Sequence, residues 1–253
     1  MTVMDDVKPT FGNVLSFSLG LVARHWLFFL GLALCNVLLG LPSTFVVQML
    51  PVGEGNLLAA IYGFGFLVLL FTCLIHGTLF TFVFRICGGQ PASAVESLKV
   101  AFDRWPALVW TLIVQYFWMV LGFMLLLVPG VIWGYRQMLA PVVTVVEGLS
   151  GPAAVRRSEA LVAADGSTFG TIVVGQWLLL LVLFSLPAYY FNTQILVTQP
   201  MGVRLGLGWL IQLVGICLVA VVYSSQVVVY RYLREKLDRA PFDDAIGFSP
   251  SEL

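Results

Sequence analysis

Long apolar segments constrain this chain more than any other feature of its sequence. Six follow one another, and most exceed the roughly 18–20 apolar residues that a helix needs to cross the hydrocarbon core. They run over 26–48, 57–84, 107–128, 131–146, 169–191 and 205–230. The fourth is short and directly follows Pro129-Gly130. This pair favours a tight turn between antiparallel helices, with a re-entrant pair that fails to cross as the alternative.

The composition indicates that lipid is the solvent for most of the surface. Hydrophobic residues make up 60% of the chain and charged residues 10%, whereas roughly 25% of residues are charged in ordinary soluble domains. The formal net charge is zero, so no clustered basic face predicts nucleic acid as a partner. The sequence therefore predicts an all-α, polytopic integral membrane protein with six transmembrane helices.

Three stretches between the apolar segments have the periodicity of short amphipathic helices. We expect helices near residues 11–24, 92–105 and 152–164, lying along the cytoplasmic membrane interface. In the last of them, Ser150 is placed to cap the helix and Pro152 falls in its first turn. The less polar face of that helix comprises Ala154, Val155, Ser158, Leu161 and Val162.

The basic residues lie almost entirely on one side of a six-span arrangement. Arg204 is alone on the other side, while one side holds Lys8, Arg24, Arg85, Lys99, Arg104, Arg156, Arg157, Arg231, Arg234, Lys236 and Arg239. The positive-inside rule then predicts that both termini are cytoplasmic. The N-terminus lacks a basic region followed by a short apolar core, so we expect no cleaved signal peptide.

The expected organisation is a single membrane domain with two short flanking segments. A cytoplasmic N-terminal segment carrying an interface helix (1–25) precedes the six-helix domain (26–230), and a cytoplasmic tail (231–253) follows it. Along the chain, an amphipathic helix leads three times into a span that ends near a proline and then into a returning span. Short similar segments, VLS at 14–16, VES at 95–97 and VRRS at 155–158, predict three repeated hairpin units.

Arg136 is the most unusual residue within an apolar segment. An arginine in hydrocarbon normally faces the bundle interior, water or a partner, so Arg136 is a candidate for holding an anionic lipid or a substrate. It also lies close to the outer end of its segment, where snorkelling to the headgroups is a sufficient explanation. Both interpretations remain open from the sequence.

Glu147 ends the fourth apolar segment and precedes a short GLSGP turn. Across this turn we expect its carboxylate to meet Arg156 or Arg157, which would clamp the following amphipathic helix against the end of the span. The alternative is a solvated carboxylate at headgroup level. Arg156 and Arg157 can also attract anionic lipid at about 1 kcal/mol per residue near the membrane surface.

The sequence carries no pattern that indicates catalysis. It contains no Ser/His/Asp grouping, no HExxH and no phosphate loop. The four cysteines at 35, 73, 87 and 217 are far apart and form no CxxC, so we expect neither a disulfide nor a metal site. We therefore expect no catalytic, cofactor-binding or metal-binding residues.

The central stretch resembles a known membrane family. Its proline-glycine segment VPGVIWGYR, its apolar run PVVTVVEG and its helix AAVRRSEAL resemble the membrane domain found with some glycerophosphodiester phosphodiesterases and the related YciC-like bacterial membrane proteins. Glu147, Arg157 and Ser158 match the motif, and the resemblance attaches no chemistry to them. It implies a bacterial cytoplasmic membrane and a scaffold-like domain. The acidic metal-binding residues of that phosphodiesterase have no counterpart, so its activity is not implied.

These observations together predict a non-catalytic multi-pass protein. It would act as a scaffold or accessory subunit that binds anionic lipid headgroups, a membrane protein partner or a second copy of itself. No cofactor is expected. The alternative is a small transporter with a polar cavity around Arg136 and glutamines such as Gln115, Gln176 and Gln212. Hydrogen bonding between helices is the more frequent use of such amides. An enzyme acting on lipid headgroups is the third option.

Overall fold

The computed structural model describes residues 9–49, 54–182 and 201–239, and every regular element in these ranges is a helix. The helices are α1 (Phe11–Arg24), α2 (Trp26–Met49), α3 (Glu54–Cys87), α4 (Ala94–Asp103), α5 (Trp105–Leu125), α6 (Leu127–Arg136), α7 (Ala140–Glu147), α8 (Pro152–Ala164), α9 (Gly166–Leu180) and α10 (Met201–Arg239). The all-helical prediction is confirmed for this part of the chain.

Three of these helices are long and apolar enough to cross a membrane. The qualifying segments are Leu70–Cys87, Trp105–Leu125 and Leu213–Asp238. Two bent pairs raise the number to five if each pair is one span: α1 with Trp26–Leu38, bent by 85°, and Val128–Glu147 with α8, bent by 115°. The described residues thus contain three to five candidate spans, which is compatible with membrane association. The predicted segment 169–191 extends outside the described residues.

A short helix, a one-residue turn, a second helix and a returning helix follow each other three times, with the returning part of the second unit divided into α6 and α7. The turn residues are His25, Arg104 and Asp165, and a fully buried serine precedes each by seven positions: Ser18, Ser97 and Ser158. The similar segments found in the sequence predict Ser16 as the serine of the first unit, and this prediction is wrong by two residues. Ser16 lies outside the core, and its hydroxyl donates to the carbonyl of Asn13 in its own helix.

The returning helix of each unit packs on the short helix of the next. α3 packs on α4, α7 on α8, and α10 on α1. The third contact joins the last unit to the first, so the three units close on each other. α1 contributes Val14 and Leu21 to the same buried cluster as the other helices.

The short helix α7 occupies the centre of the bundle. It contacts α3, α5, α8 and α10, and its buried residues are Ala140, Val142, Val143, Thr144 and Val145. Pro141 fits its first turn because an N–H at this position would have no acceptor within the helix. Gly148 ends the helix in the left-handed conformation (φ 78°). The residues are small or β-branched, so the neighbouring helices approach it closely.

The break between α5 and α6 falls at Leu126, and the predicted break at Pro129-Gly130 is wrong. Leu126 is extended (φ −165°, ψ 151°), whereas Pro129 lies within the first turn of α6, which tolerates its missing N–H. Gly130 does not end a helix but allows close packing, because a Cβ built on Gly122 would lie only 2.7 Å from the Gly130 Cα. The two glycines let α5 and α6 touch through their backbones.

The helices predicted for the interface bury different faces. In α8 the buried residues are those of the predicted less polar face, Ala154, Val155, Ser158, Leu161 and Val162. In α4 the large apolar side chains are instead exposed, with Val95 77% and Phe102 61% accessible. The small residue Ala101 instead contacts α3, where its Cβ lies 3.2 Å from a Cβ built on Gly77. α8 is thus held on the core, while α4 presents an apolar face outward.

Candidate functional site: a polar cluster where α7, α8 and α10 meet

The carboxylate of Glu147 is the centre of a hydrogen-bonded cluster. Arg157 Nε donates to it at 3.1 Å, and the hydroxyl of Tyr230 donates to its other oxygen at 2.7 Å. Tyr230 is fully buried, and the Glu147 side chain is only 15% exposed. Of the two predicted arginine partners, the structure brings Arg157 to Glu147, whereas Arg156 is exposed. The cluster therefore joins the end of α7 to α8 and to α10.

The cluster continues to the last turns of α10. Arg157 Nη2 lies 3.4 Å from Asp238 Oδ1, and Arg234 Nε lies 3.6 Å from the other oxygen of Asp238. Asp238 is 53% exposed, so these outer contacts contribute little to stability. α10 runs without interruption through Tyr230 to Arg239, which is what brings Asp238 to this site.

Ser158 holds together the break between α6 and α7. Its hydroxyl donates to the carbonyl of Arg136 at 2.8 Å and accepts from the N–H of Leu139 at 3.2 Å. The residues between these helices, 137–139, form turns rather than continuous helix. Polar backbone groups in an apolar interior need partners, and one side chain supplies two. Ser158 therefore allows the fourth apolar segment to be discontinuous, which the sequence did not predict.

Replacing Ser158 with alanine is expected to destabilise the protein by about 2 kcal/mol, since the Arg136 carbonyl and the buried Leu139 N–H both lose their partner. The matched control is Ser97→Ala. Ser97 is equally buried, but among the described residues its hydroxyl bonds only to the Ser93 carbonyl one turn earlier. Thermal unfolding of both variants in mild detergent measures the difference. Equal unfolding midpoints would contradict a bridging role for Ser158.

The turn between α7 and α8 requires glycine at two positions. Gly148 and Gly151 both have positive φ, and a Cβ on Gly151 would lie 2.3 Å from the Trp110 indole nitrogen. The Gly151 N–H donates to the Thr111 hydroxyl at 2.9 Å. α8 begins immediately after Gly151 without a side-chain cap, so the predicted capping role of Ser150 is wrong. These contacts fix α8 where Arg157 can reach Glu147.

A second cluster surrounds Asp165, the turn residue between α8 and α9. Its carboxylate accepts from Lys236 Nζ at 2.9 Å, from the Tyr232 hydroxyl at 3.0 Å and from the Thr168 N–H at 3.2 Å. The last of these bonds caps α9. Burial alone raises the pKa of the Asp165 carboxyl, but the hydrogen bonds from Lys236, Thr168 and Tyr232 outweigh burial and hold this pKa well below its ordinary value.

The lowered pKa predicts a specific acid sensitivity. The ordinary pKa of an aspartate is about 3.9, so ionised Asp165 stabilises the fold above about pH 4. This contribution is lost as the pH falls from there through the lower folded-state value. The unfolding midpoint of the native protein should therefore fall more steeply below pH 4 than that of Asp165→Asn. The exposed control Asp103→Asn should follow the native curve, and parallel curves for native protein and Asp165→Asn would contradict the prediction.

Ion pairs occur at equivalent places in two of the three junctions between units. Arg85 near the end of α3 pairs with Glu96, and Glu147 at the end of α7 pairs with Arg157. Glu96 and Arg157 each directly precede the buried serine of their helix, so the pair recurs with its charges exchanged. At the third junction the corresponding residue of α1 is Phe17.

The remaining predicted residues lie apart from the cluster. The side chain of Arg136 is exposed, and only its backbone carbonyl contacts Ser158. Gln176 is buried and donates to Ser225. The side-chain oxygens of Gln115, Gln137 and Gln176 have no hydrogen-bond partner among the described residues. The side chain of Gln212 lies outside the described residues.

The sequence missed the partners that α10 supplies. Tyr230, Tyr232, Lys236 and Asp238 are 67 to 83 residues from the groups that they contact, and no local pattern links them. Their placement just after an apolar segment is the only signal in the sequence. Within the described ranges, no three His, Cys, Asp or Glu residues are grouped to hold a metal ion. The geometry of the cluster is that of an electrostatic joint between helices.

Comparison with protein-family models, with curated proteins and with solved structures gives no match for this chain.

Proposed function

We propose that this chain is a non-catalytic scaffold or accessory subunit of the bacterial cytoplasmic membrane. In this proposal it crosses the bilayer six times, with both termini in the cytoplasm, and binds anionic lipid or a membrane protein partner through its cytoplasmic face. The observation that carries the proposal is the central position of α7. A helix of small buried residues fills the axis along which a carrier would need its substrate cavity.

The grouping of charge supports the topology. Arg157 reaches α7 and α10, Lys236 reaches the turn before α9, and Arg231 donates to the carbonyl of Cys87 at the end of α3. Basic residues from separate helices thus gather at one end of the bundle, as the positive-inside rule requires for a cytoplasmic face. A cysteine introduced between Gln194 and Met201 should react with impermeant thiol reagents only from outside the cell. Labelling only from the cytosol would overturn the six-span topology.

The adjacent arginines of α8 provide a test of surface binding. Arg156 is exposed and has no ion pair among residues 9–49, 54–182 and 201–239, whereas Arg157 is held by Glu147. The chromosomally tagged protein, extracted in mild detergent at its natural abundance, should retain anionic lipid or a partner at fixed stoichiometry. Arg156→Ala should reduce this retention without lowering the unfolding midpoint, because each such arginine contributes about 1 kcal/mol of lipid attraction. Arg157→Ala should lower the midpoint.

Retention that is absent in the native protein, or that Arg156→Ala leaves unchanged at every ionic strength, would count against this surface. The salt dependence separates electrostatic binding from detergent carry-over, since contacts between exposed charges weaken as the ionic strength rises.

A small transporter is the second candidate, and one observation favours it. The side chains of Gln137 and Gln176 are buried, yet their carbonyl oxygens lack partners within the described residues. Unpaired buried oxygens are the groups that a polar substrate or water would engage. Gln137→Cys distinguishes the candidates. Rapid labelling of this cysteine by an impermeant thiol reagent would support a water-filled route, and protection from labelling would support the packed scaffold.

A further inference from the structure

We propose that a groove along α5, beside α3, binds one acyl chain of a membrane glycerophospholipid. This inference deepens the lipid-binding part of the proposed function and rests on it. It differs in assigning a defined apolar groove on the outward face of α5, whereas exposed arginines such as Arg156 contact only lipid headgroups.

The groove has a volume of about 420 Å³ and follows one face of α5. The described residues that line it from α3 are Leu70 and Cys73, and those from α5 include Val109, Leu112, Tyr116, Val120 and Met124. Their spacing of three or four residues forms one continuous stripe on the helix. Nearly all the lining atoms are apolar. A bound molecule would therefore be held by its fit to the groove and by dispersion contacts rather than by hydrogen bonds.

The dimensions of the groove identify the kind of occupant. From Val109 to Met124 the lining residues extend over about 22 Å of α5, at 1.5 Å per residue. Spread over this length, the groove volume corresponds to a channel about 5–7 Å wide. An α-helix with side chains is about 10–12 Å wide, so a second copy or a partner helix cannot enter. A single hydrocarbon chain can.

The position of the groove indicates where the lipid headgroup lies. At the Val109 end, the indole N–H of Trp105 donates to the Leu70 carbonyl at 2.8 Å, and tryptophan is typical of the membrane interface. Arg104 precedes it and packs against Gly148 next to the polar cluster. At the Met124 end the residues are apolar up to the turn at Leu126. The headgroup therefore belongs at the Trp105 end and the chain extends toward Met124.

The test uses the purified full-length chain in vesicles of phosphatidylethanolamine and phosphatidylglycerol that contain a phospholipid with a photoreactive acyl chain. Cross-linked peptides are identified by mass spectrometry. We expect saturable labelling of α5 residues that line the groove, at up to one lipid per chain. Val120→Trp places an indole in the groove and should lower this labelling about tenfold, because displacing about two methylenes from apolar contact weakens binding by that factor.

The matched control is Val174→Trp on α9. Val174 is 57% exposed, close to the 52% of Val120, but does not line the groove. It should leave the labelling of α5 unchanged. Val120→Ala, which widens the groove without filling it, should retain most of the labelling and guards against misfolding of the tryptophan variant.

Two outcomes would overturn the site. Labelling of α5 that is no greater per exposed residue than labelling of α9 would identify the groove as ordinary lipid-facing surface. Labelling that Val120→Trp leaves intact would place the lipid elsewhere. Either outcome leaves the surface test with Arg156→Ala standing, so failure of the groove and failure of the proposed function are distinguishable.

Discussion

Glu147→Gln is expected to lower the free energy of unfolding by about 2 kcal/mol, because Arg157 loses the nearer and more buried of its two charged partners. For a chain of this size, that corresponds to a drop of roughly 4–8 °C in the unfolding midpoint. Glutamine retains an oxygen that can accept from Tyr230, so this variant reports on the charge. Glu147→Ala also removes the acceptor of the buried Tyr230 hydroxyl and should cost more.

The control for this prediction is Asp238→Asn, which removes the other carboxylate near Arg157. Asp238 is half exposed and lies 3.4 Å from Arg157, so its loss should change stability by less than about 0.5 kcal/mol. A double variant, Glu147→Gln with Arg157→Gln, should recover part of the loss, since neither charge is then left unpaired. If Glu147→Gln behaves like Asp238→Asn in thermal unfolding and protease resistance, the clamp does not hold α8.

The features that the sequence predicted well are those that neighbouring residues determine. The bounds of α1 and α8 follow from amphipathic periodicity, and the predicted less polar face of α8 is the face that is buried. The contact of Glu147 with Arg157 was also foreseeable. The two residues are only ten positions apart, and the intervening turn with two glycines brings the end of α7 close to the first turns of α8.

The features that the sequence did not predict depend on contacts between distant residues, or on a helix accepting a residue that usually ends it. Pro129 suggested a break, but proline is accepted in the first turn of a helix, so the chain turns at Leu126 instead. The interruption at 137–139 is hidden in an apolar run because its partner, Ser158, lies about twenty residues later. Lys236 reaches Asp165 from 71 residues away. No local pattern carries that pairing.

Gly122→Ala is expected to separate α5 from α6. A Cβ at this position would lie 2.7 Å from the Gly130 Cα and 2.9 Å from the Gly130 nitrogen, and backbone atoms cannot move aside as a side chain can. Overpacking of this kind costs about 1–3 kcal/mol. Alanine also gains up to about 1 kcal/mol in helix propensity over glycine, so the variant must be compared with another glycine-to-alanine change in the same hairpin.

Gly134→Ala provides that comparison. A Cβ on Gly134 would meet only the Met119 side chain, at 3.4 Å from its sulfur, and a flexible thioether can adjust. The propensity gain is common to both variants, so the difference in their unfolding midpoints isolates the backbone contact. We expect Gly122→Ala to unfold roughly 2–12 °C below Gly134→Ala, since an overpacking cost of about 1–3 kcal/mol corresponds to about 2–4 °C per kcal/mol. Equal midpoints would mean that α5 and α6 do not touch through Gly122 and Gly130, and the helical hairpin that presents the groove would then need a different geometry.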